Sequence, residues 1–129
     1  METQEKDNAQ VRPLSTAEII KIENALEVLQ EYAYRINEAK GWHSPEPTDA
    51  ECIANVHGEV SEINDWLRLG ADTLSDHISG FTGVEEEGAD VVIRLMNWFR
   101  RRKWRLSHAI IAKLEYNASR PFRHGNKNF

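Results

Sequence analysis

Two pairs of acidic residues, each with a spacing of three, are the features of this sequence that could do chemistry. The first pair is Glu59 and Glu62 in "HGEVSEIND", and the second is Glu87 and Asp90 in "EEEGAD". Residues three apart lie on one face of a helix, so each pair presents two carboxylates in one direction. Four converging carboxylates repel one another unless a hard divalent cation lies between them, and ligands that are all oxygen favour Mg²⁺ or Mn²⁺. The alternative is that these are ordinary surface carboxylates, which Glu-rich helices produce by chance.

The position of Glu59 on a helical wheel favours the metal interpretation. Glu59 lies at the flank of an apolar stripe, whereas Glu62 lies farther from it, and an ionised carboxylate near a core needs a partner because burying it unpaired costs several kcal/mol. If consecutive helices pack antiparallel, this pair would face the second pair across a seam. The apolar stripe that we expect to face inward consists of Ile53, Val56, Val60, Ile63 and Leu67.

The second acidic pair belongs to a polar strip on an otherwise apolar helix. Because apolar residues cover most of the circumference of this helix, we expect it to be the most buried one. The triplet "EEE" leaves its register open, but the spacing to Asp90 favours Glu87 over Glu86 as the ligand. The strip comprises Glu87, Asp90, Arg94, Asn97 and Arg101.

Four helices are predicted, and no convincing strand. Capping boxes predict that the first helix begins after Ser15 and the second after Thr48, and glycines predict their ends before Gly41 and at Gly70. The third helix is expected to start near "TGVEEE", and a fourth to run from Ser107, as its cap, to about residue 118. Further inward-facing positions are Ile19, Ile22, Leu26, Leu29, Ala33 and Ile36 in the first helix, and Ile110, Ile111 and Leu114 in the fourth.

Length and composition predict one domain over residues 1–129, with residues 1–14 flexible and residues 119–129 forming a basic tail. The chain has 129 residues, 40% of them hydrophobic and 29% charged, with a net charge of −5. It lacks a long apolar run and a signal peptide and has a single cysteine, Cys52, so we expect a cytoplasmic protein with no membrane partner.

Charge is distributed unevenly along the chain. Residues 1–99 contain 7 Lys+Arg against 20 Asp+Glu, and residues 100–129 contain 9 against 1. A chain with an acidic body and a basic end could bind an anion that a cation holds against the body, or it could form a head-to-tail dimer. The run "FRRRKWR" could contact nucleic acid, but the acidic body argues against that partner.

The two acidic pairs, separated by 24 residues, resemble the ExxE…ExxD signature of the MazG-like, all-α nucleoside triphosphate pyrophosphohydrolases. The stretch "KLEYNASRPFRHGNK" is similar to the last helix and basic tail of that family, so the resemblance covers roughly residues 40 to 127. One departure is Gly88, where many members have a large apolar residue. Glycine inside a helix costs about 1 kcal/mol relative to alanine, and we expect Gly88 to permit a close helix approach.

The resemblance implies an all-α bundle of four to five helices, with the metal site on antiparallel helices two and three, assembled as a homodimer or homotetramer. It implies Mg²⁺-dependent hydrolysis of NTP or dNTP to the monophosphate and pyrophosphate. All four acidic residues would bind the metal, and either Glu59 or Glu62 would orient or deprotonate the water. The substrate-binding residues would be Lys113, Asn117, Arg120 and Arg123.

Two questions stay open on the sequence alone. Trp42 and Trp66 could stack on a nucleobase or could belong to the core or an interface. The alternative function is a non-catalytic helical interaction module with an acidic seam.

Overall fold

The structure, a computed structural model, describes residues 11–121, and within this range the chain is all-helical with no strand. The predicted all-α class and the four predicted helices are confirmed. None of the described helices combines the length and the apolar character that crossing a membrane requires. The helices are α1 (Thr16–Ala39), α2 (Asp49–Leu69), α3 (Gly83–Arg101) and α4 (Leu106–Ser119).

Local sequence signals explain where the first two helices begin. Ser15 Oγ accepts from the Glu18 amide while the Glu18 carboxylate accepts from the Ser15 amide, and Thr48 and Glu51 form the same reciprocal box. Both predicted capping boxes are therefore confirmed.

The starts of the other two helices differ from expectation. A third capping box, between Thr82 and Glu85, begins α3 and was not predicted, although "TGVE" carries its signature. The prediction that Ser107 caps α4 is wrong, because the helix already includes Leu106 and Ser107 lies buried in its first turn. There the Ser107 hydroxyl donates to the Glu27 carboxylate (3.4 Å), and it does not cap a backbone amide at the start of the helix.

The chain divides into two compact units, one holding the described residues up to Glu27 and from Arg105 onward, the other holding Val28–Trp104. The expectation of a single domain stays a prediction. Glu59, Glu62, Glu87 and Asp90 all belong to the unit Val28–Trp104.

Within this unit, α2 packs along α3, and side-chain pairs join the two helices at several levels. The pairs run from the first residue of α2 to its last turn: Trp98 donates to Asp49 (2.9 Å), Arg94 donates to Glu59, and Trp66 donates to Glu87 (3.1 Å).

The second half of α1 also packs on α3. The buried Gln30 side chain donates to the backbone carbonyl of Met96 (3.1 Å), and the Arg100 guanidinium pairs with Glu31 (2.6 Å). Most positions of α3 are buried or half-buried, in agreement with the expectation for this helix.

The side of α2 that faces α3 is not the apolar stripe that the wheel selected. Ile53, Val60 and Leu67 are 47%, 50% and 50% exposed, whereas Glu59, predicted at the flank, is only 6% exposed. Glu59 and Trp66 lie roughly 110° around the helix from that stripe, at 100° per residue. The prediction that this stripe is covered by the chain's own core is therefore wrong for these three residues.

Other predicted core positions are also open to solvent. Leu29 and Ile36 of α1 and Leu114 of α4 are exposed, and on α3, for which no single inward position was predicted, so are Val92 and Ile93. In the part of the chain that the structure describes, the buried apolar side chains are Ala33, Met96 and Ile111.

Candidate metal centre

Three of the four predicted carboxylates converge between α2 and α3. Glu59, Glu87 and Asp90 each offer one carboxylate oxygen, and these oxygens all lie within 4.8 Å of one another. Glu59 lies midway along the α3-facing side of α2, while Glu87 and Asp90 are one turn apart on α3. Oxygen ligands of a hard cation lie about 2.0–2.6 Å from the ion, so oxygens this close to one another can share a single Mg²⁺ or Mn²⁺.

Glu59 is held in place by an ion pair. Its buried carboxylate accepts a hydrogen bond from Arg94 Nε, and the Arg94 side chain is about half exposed. Leaving a buried carboxylate without its partner is unfavourable because its charge is then uncompensated. Arg94 therefore stabilises Glu59 between the helices whether or not a cation is bound.

Glu87 and Asp90 lie where a positive charge would be favourable. Burial raises the pKa of Glu87, against the effect of its hydrogen bond from Trp66. Burial also raises the pKa of Asp90, followed by the negative charge of Glu59. Both raised pKa values mean that the ionised form of each carboxylate is disfavoured. A cation among these oxygens would stabilise the ionised form.

Glu62 lies beside this group but is not one of the three convergent residues. A hydrogen bond with Glu59, then repulsion from the same carboxylate, raises the pKa of Glu62 to about 7. The side chain is exposed, so it can reach solvent as well as the carboxylates. The predicted set of four ligands is thus three convergent carboxylates with the fourth next to them.

The contacts of the acidic triplet explain why Glu87 is the member that joins the centre. Glu85 is occupied by the capping box at the start of α3. Glu86 accepts from Ser75 Oγ and from His77 Nδ1 (2.7 Å), and these hydrogen bonds lower the pKa of Glu86. Both neighbours therefore bind the preceding loop, and Glu87 remains free to face α2.

Trp66 positions Glu87, a role that the sequence did not reveal. Its indole Nε1 donates to Glu87 Oε1 (3.1 Å), and its ring lies against the first residue of α3, Gly83. A Cβ added at Gly83 would lie 1.9 Å from Trp66 Cδ2, so only glycine fits there. Trp66 follows Glu59 by seven residues and therefore lies on the same side of α2, but its partner depends on which side of α2 faces α3.

The expectation that Gly88 permits a close helix approach is wrong. A Cβ added at Gly88 would meet no atom within 4 Å, in contrast to Gly83. The close approach is five residues earlier, at the start of the same helix.

A cavity of about 400 Å³ adjoins the carboxylates and is lined by Asp90 and Arg94. The rest of the polar strip on α3 continues along it, with Asn97 and Arg101. Trp42, one of the two tryptophans considered for base stacking, also lines this cavity. The strip that the wheel identified therefore forms one wall of a pocket next to the candidate metal centre.

The predicted substrate-binding residues belong to the other unit. The Lys113 ammonium and the Arg120 guanidinium both lie over the ring of Tyr116, at 4.6 and 5.6 Å from its centroid. Asn117 is on the same last turns of α4, and its carbonyl accepts from the Arg120 amide. Arg123 lies outside the described residues, and the roles of all four residues stay predictions.

The site offers a cluster of oxygen ligands, an exposed carboxyl group beside it and a polar pocket against it. These are the parts that binding a divalent cation and an anionic substrate would need. A comparison of the chain with models of protein families, with curated proteins and with solved structures finds no match.

Proposed function

We propose that this protein is a Mg²⁺-dependent nucleoside triphosphate pyrophosphohydrolase, which hydrolyses NTP or dNTP to the monophosphate and pyrophosphate. The observation that carries the proposal is the convergence of Glu59, Glu87 and Asp90 within 4.8 Å beside a pocket of about 400 Å³. The start of α2 contacts the end of α3, which is the order expected for the antiparallel pair of a MazG-like bundle. The motif resemblance and this geometry support the same assignment.

The chain's own residues would divide the chemistry between them. Glu59, Glu87 and Asp90 would bind the cation, with Glu62 completing the set. When bound, Mg²⁺ or Mn²⁺ would polarise the phosphates and neutralise charge that builds on their oxygens. Of the two candidates for orienting the water, we favour Glu62, because Glu59 is buried and paired with Arg94. The Glu62 side chain is exposed, so it can reach a water molecule beside the bound cation and accept its proton.

Cationic groups would stabilise the phosphates. Arg94 is half exposed and lines the pocket next to Asp90, so its guanidinium can contact a phosphate oxygen there. On the resemblance alone, Lys113, Asn117, Arg120 and Arg123 would bind the phosphates or the sugar.

We further propose that the enzyme is a cytoplasmic homodimer or homotetramer. Ile53, Val60 and Leu67 form an exposed apolar stripe at heptad spacing on α2, and few apolar residues are buried in the described part of the single chain. A second copy of the chain would cover this stripe, as one helix packs its a-type positions on another.

The second candidate is a non-catalytic interaction module with an acidic seam. It is favoured by the pair between Glu59 and Arg94, which compensates the buried carboxylate without any metal. In this case the acidic residues would serve association with a basic partner.

Thermal unfolding separates the two candidates. The enzyme should be stabilised by Mg²⁺ together with a non-hydrolysable nucleoside triphosphate, and little by the nucleotide alone, because a ligand that binds only the folded state stabilises it by about 2.7 kcal/mol at 100 times its Kd. The interaction module should be unaffected by a metal chelator. Its association with a partner should weaken as the salt concentration rises. An unfolding temperature unchanged by Mg²⁺ and nucleotide together would count against the enzyme.

A further inference from the structure

Arg94 places a positive charge beside the carboxylates of the candidate metal centre. Its Nε donates to the carboxylate of Glu59, one of the three convergent residues. It also follows Asp90 by one turn of α3, and residues four apart on a helix are neighbours. A cationic group of the protein therefore lies next to two of the three carboxylates.

A divalent cation bound at this centre would share Glu59 with the guanidinium. Carboxylate oxygens lie about 2.0–2.6 Å from a hard cation that they bind. The guanidinium is in hydrogen-bond contact with the same carboxylate. The Glu59 side chain is only 8% exposed, so water screens the repulsion between the two positive groups poorly. Arg94 should therefore lower the affinity of the centre for a divalent cation alone.

The remaining donors of Arg94 are available to a ligand. Arginine has five N–H donors, and in the part of the chain that the structure describes Arg94 uses only its Nε, with Glu59 as the partner. The side chain is 47% exposed and lines the cavity of about 400 Å³ together with Asp90. The other arginine of this lining, Arg101, is 4% exposed, and its outer nitrogens already have partners. Arg94 is thus the arginine that can donate to an anion in the cavity, and phosphate oxygens suit its paired donors.

We propose that Arg94 couples the binding of the divalent cation to the binding of a phosphate ligand, so that the centre takes up its cation together with the substrate and only weakly by itself. The inference rests on the proposed function, because that function supplies the phosphate, and it adds how uptake of the cation is controlled. One phosphate oxygen would bind the cation while another accepts from Arg94, so a single anion neutralises both positive groups. Because such coupling is reciprocal, the cation should raise the affinity for phosphate by the same factor.

The test is equilibrium dialysis of Mn²⁺ at matched concentrations of free Mn²⁺, with and without inorganic pyrophosphate. Binding is measured directly, so no turnover is required. In the native protein, pyrophosphate should raise the affinity for Mn²⁺ by about tenfold or more, which is within the usual range of coupling between two ligands. A native affinity for Mn²⁺ that pyrophosphate leaves unchanged overturns the inference, and this measurement needs no variant.

Arg94→Gln tests whether this residue is the source of the coupling. The glutamine amide can still donate to Glu59, but the positive charge is gone. Mn²⁺ alone should therefore bind about tenfold more tightly, and pyrophosphate should add little. Arg94→Lys keeps the charge and should bind Mn²⁺ alone as weakly as the native protein.

Arg102→Gln is the matched control, because it removes the same charge from the end of the same helix. The Arg102 side chain is 46% exposed and is paired with Asp49 (3.3 Å), and it lies outside the lining of the cavity. This variant should change neither the affinity for Mn²⁺ alone nor the effect of pyrophosphate.

The outcomes distinguish this inference from the proposed function. If Arg94→Gln binds Mn²⁺ no more tightly than the native protein, or if pyrophosphate strengthens Mn²⁺ binding equally in both, Arg94 is only a structural partner of Glu59. Either result overturns the inference even if triphosphates are hydrolysed. Pyrophosphate-dependent binding of Mn²⁺ that Arg94→Gln abolishes, in a protein that hydrolyses no triphosphate, supports the inference and overturns the proposed function.

Discussion

Two of the three carboxylates of the centre are positioned by a neighbouring side chain, each of a different kind. Glu59 is paired with Arg94, Glu87 accepts from the Trp66 indole, and Asp90 lines the pocket. The sequence predicted that Glu87 and Asp90 share one side of α3, because their spacing alone determines this. It could not predict the contacts of Trp66 or Arg94, since these depend on which side of α2 faces α3.

The hydrogen bond from Trp66 should matter for metal affinity. Trp66→Phe keeps an aromatic ring but removes the N–H that orients Glu87, so the Mg²⁺ concentration for half-maximal activity should rise about 10- to 100-fold. The measurement is a Mg²⁺ titration of the rate, with circular dichroism to verify the fold. Trp104→Phe, outside the pocket lining and the carboxylate group, is the matched control. An unchanged Mg²⁺ dependence in Trp66→Phe would show that the indole does not position a ligand.

The carboxyl group of Glu62 predicts how the metal-free protein responds to pH. Its pKa is raised from 4.5 to about 7, so the folded state binds a proton more tightly than the unfolded state. The stability that this proton provides is fully present below pH 4.5 and is lost as pH rises through 7. In EDTA, the contribution of this group should lower the unfolding temperature between pH 5 and pH 8.

Glu62→Gln provides the check on this pH dependence. The variant removes the titrating group, so its unfolding temperature should fall less over the same pH range than that of the native protein. Equal pH profiles for the two proteins in differential scanning calorimetry would be inconsistent with a raised pKa at this position.

At the scale of elements, the ends of the helices were more predictable than their packing. Capping boxes at Ser15 and Thr48 and the break at Gly70 are local signals, and the helices follow them. The buried side of α2 is not a local property. The helical wheel assigned the buried side to the most apolar stripe. In the structure α3 contacts the side with Glu59 and Trp66, because hydrogen-bonded pairs as well as apolar contacts join the two helices.

Two glycines of α3 should respond oppositely to the same substitution. Gly83→Ala places a Cβ 1.9 Å from the Trp66 ring, and such overpacking typically costs about 1–3 kcal/mol. Gly88→Ala meets no atom within 4 Å, so the better helix propensity of alanine should stabilise the protein by up to about 1 kcal/mol. Urea unfolding of both variants is the measurement. Equal effects of the two substitutions would contradict the close approach of α2 at Gly83.

At the scale of the whole molecule, the exposed apolar residues predict association. An apolar stripe has the same sequence pattern whether the chain's own core or a second copy covers it, so the sequence alone could not separate these cases. In the structure the chain's own core does not cover Ile53, Val60 and Leu67, which are about half exposed, and their coverage by a second copy is the proposal to be tested.

Val60→Glu tests whether this stripe is the interface. A charge in the middle of the stripe should shift the assembly to the monomer at micromolar concentration, measured by size-exclusion chromatography with light scattering, because burying it unpaired is costly. Ser61→Glu adds the same charge at the next exposed position and should leave the assembly intact. A native protein that is monomeric at all concentrations, or a Val60→Glu variant with unchanged mass, would exclude this interface.

The most direct test of the metal centre is product-resolved turnover of nucleoside triphosphates in Mg²⁺ by the native protein and by variants of its carboxylates. The native protein should release monophosphate and pyrophosphate, and EDTA should stop the reaction. Each of Glu59→Gln, Glu62→Gln, Glu87→Gln and Asp90→Asn should abolish it with the fold retained, whereas Glu85→Gln, whose residue only caps α3, should keep near-native activity. No turnover of any nucleotide by the native protein in Mg²⁺ or Mn²⁺, or full activity of all four carboxylate variants, would contradict the proposed function or its site.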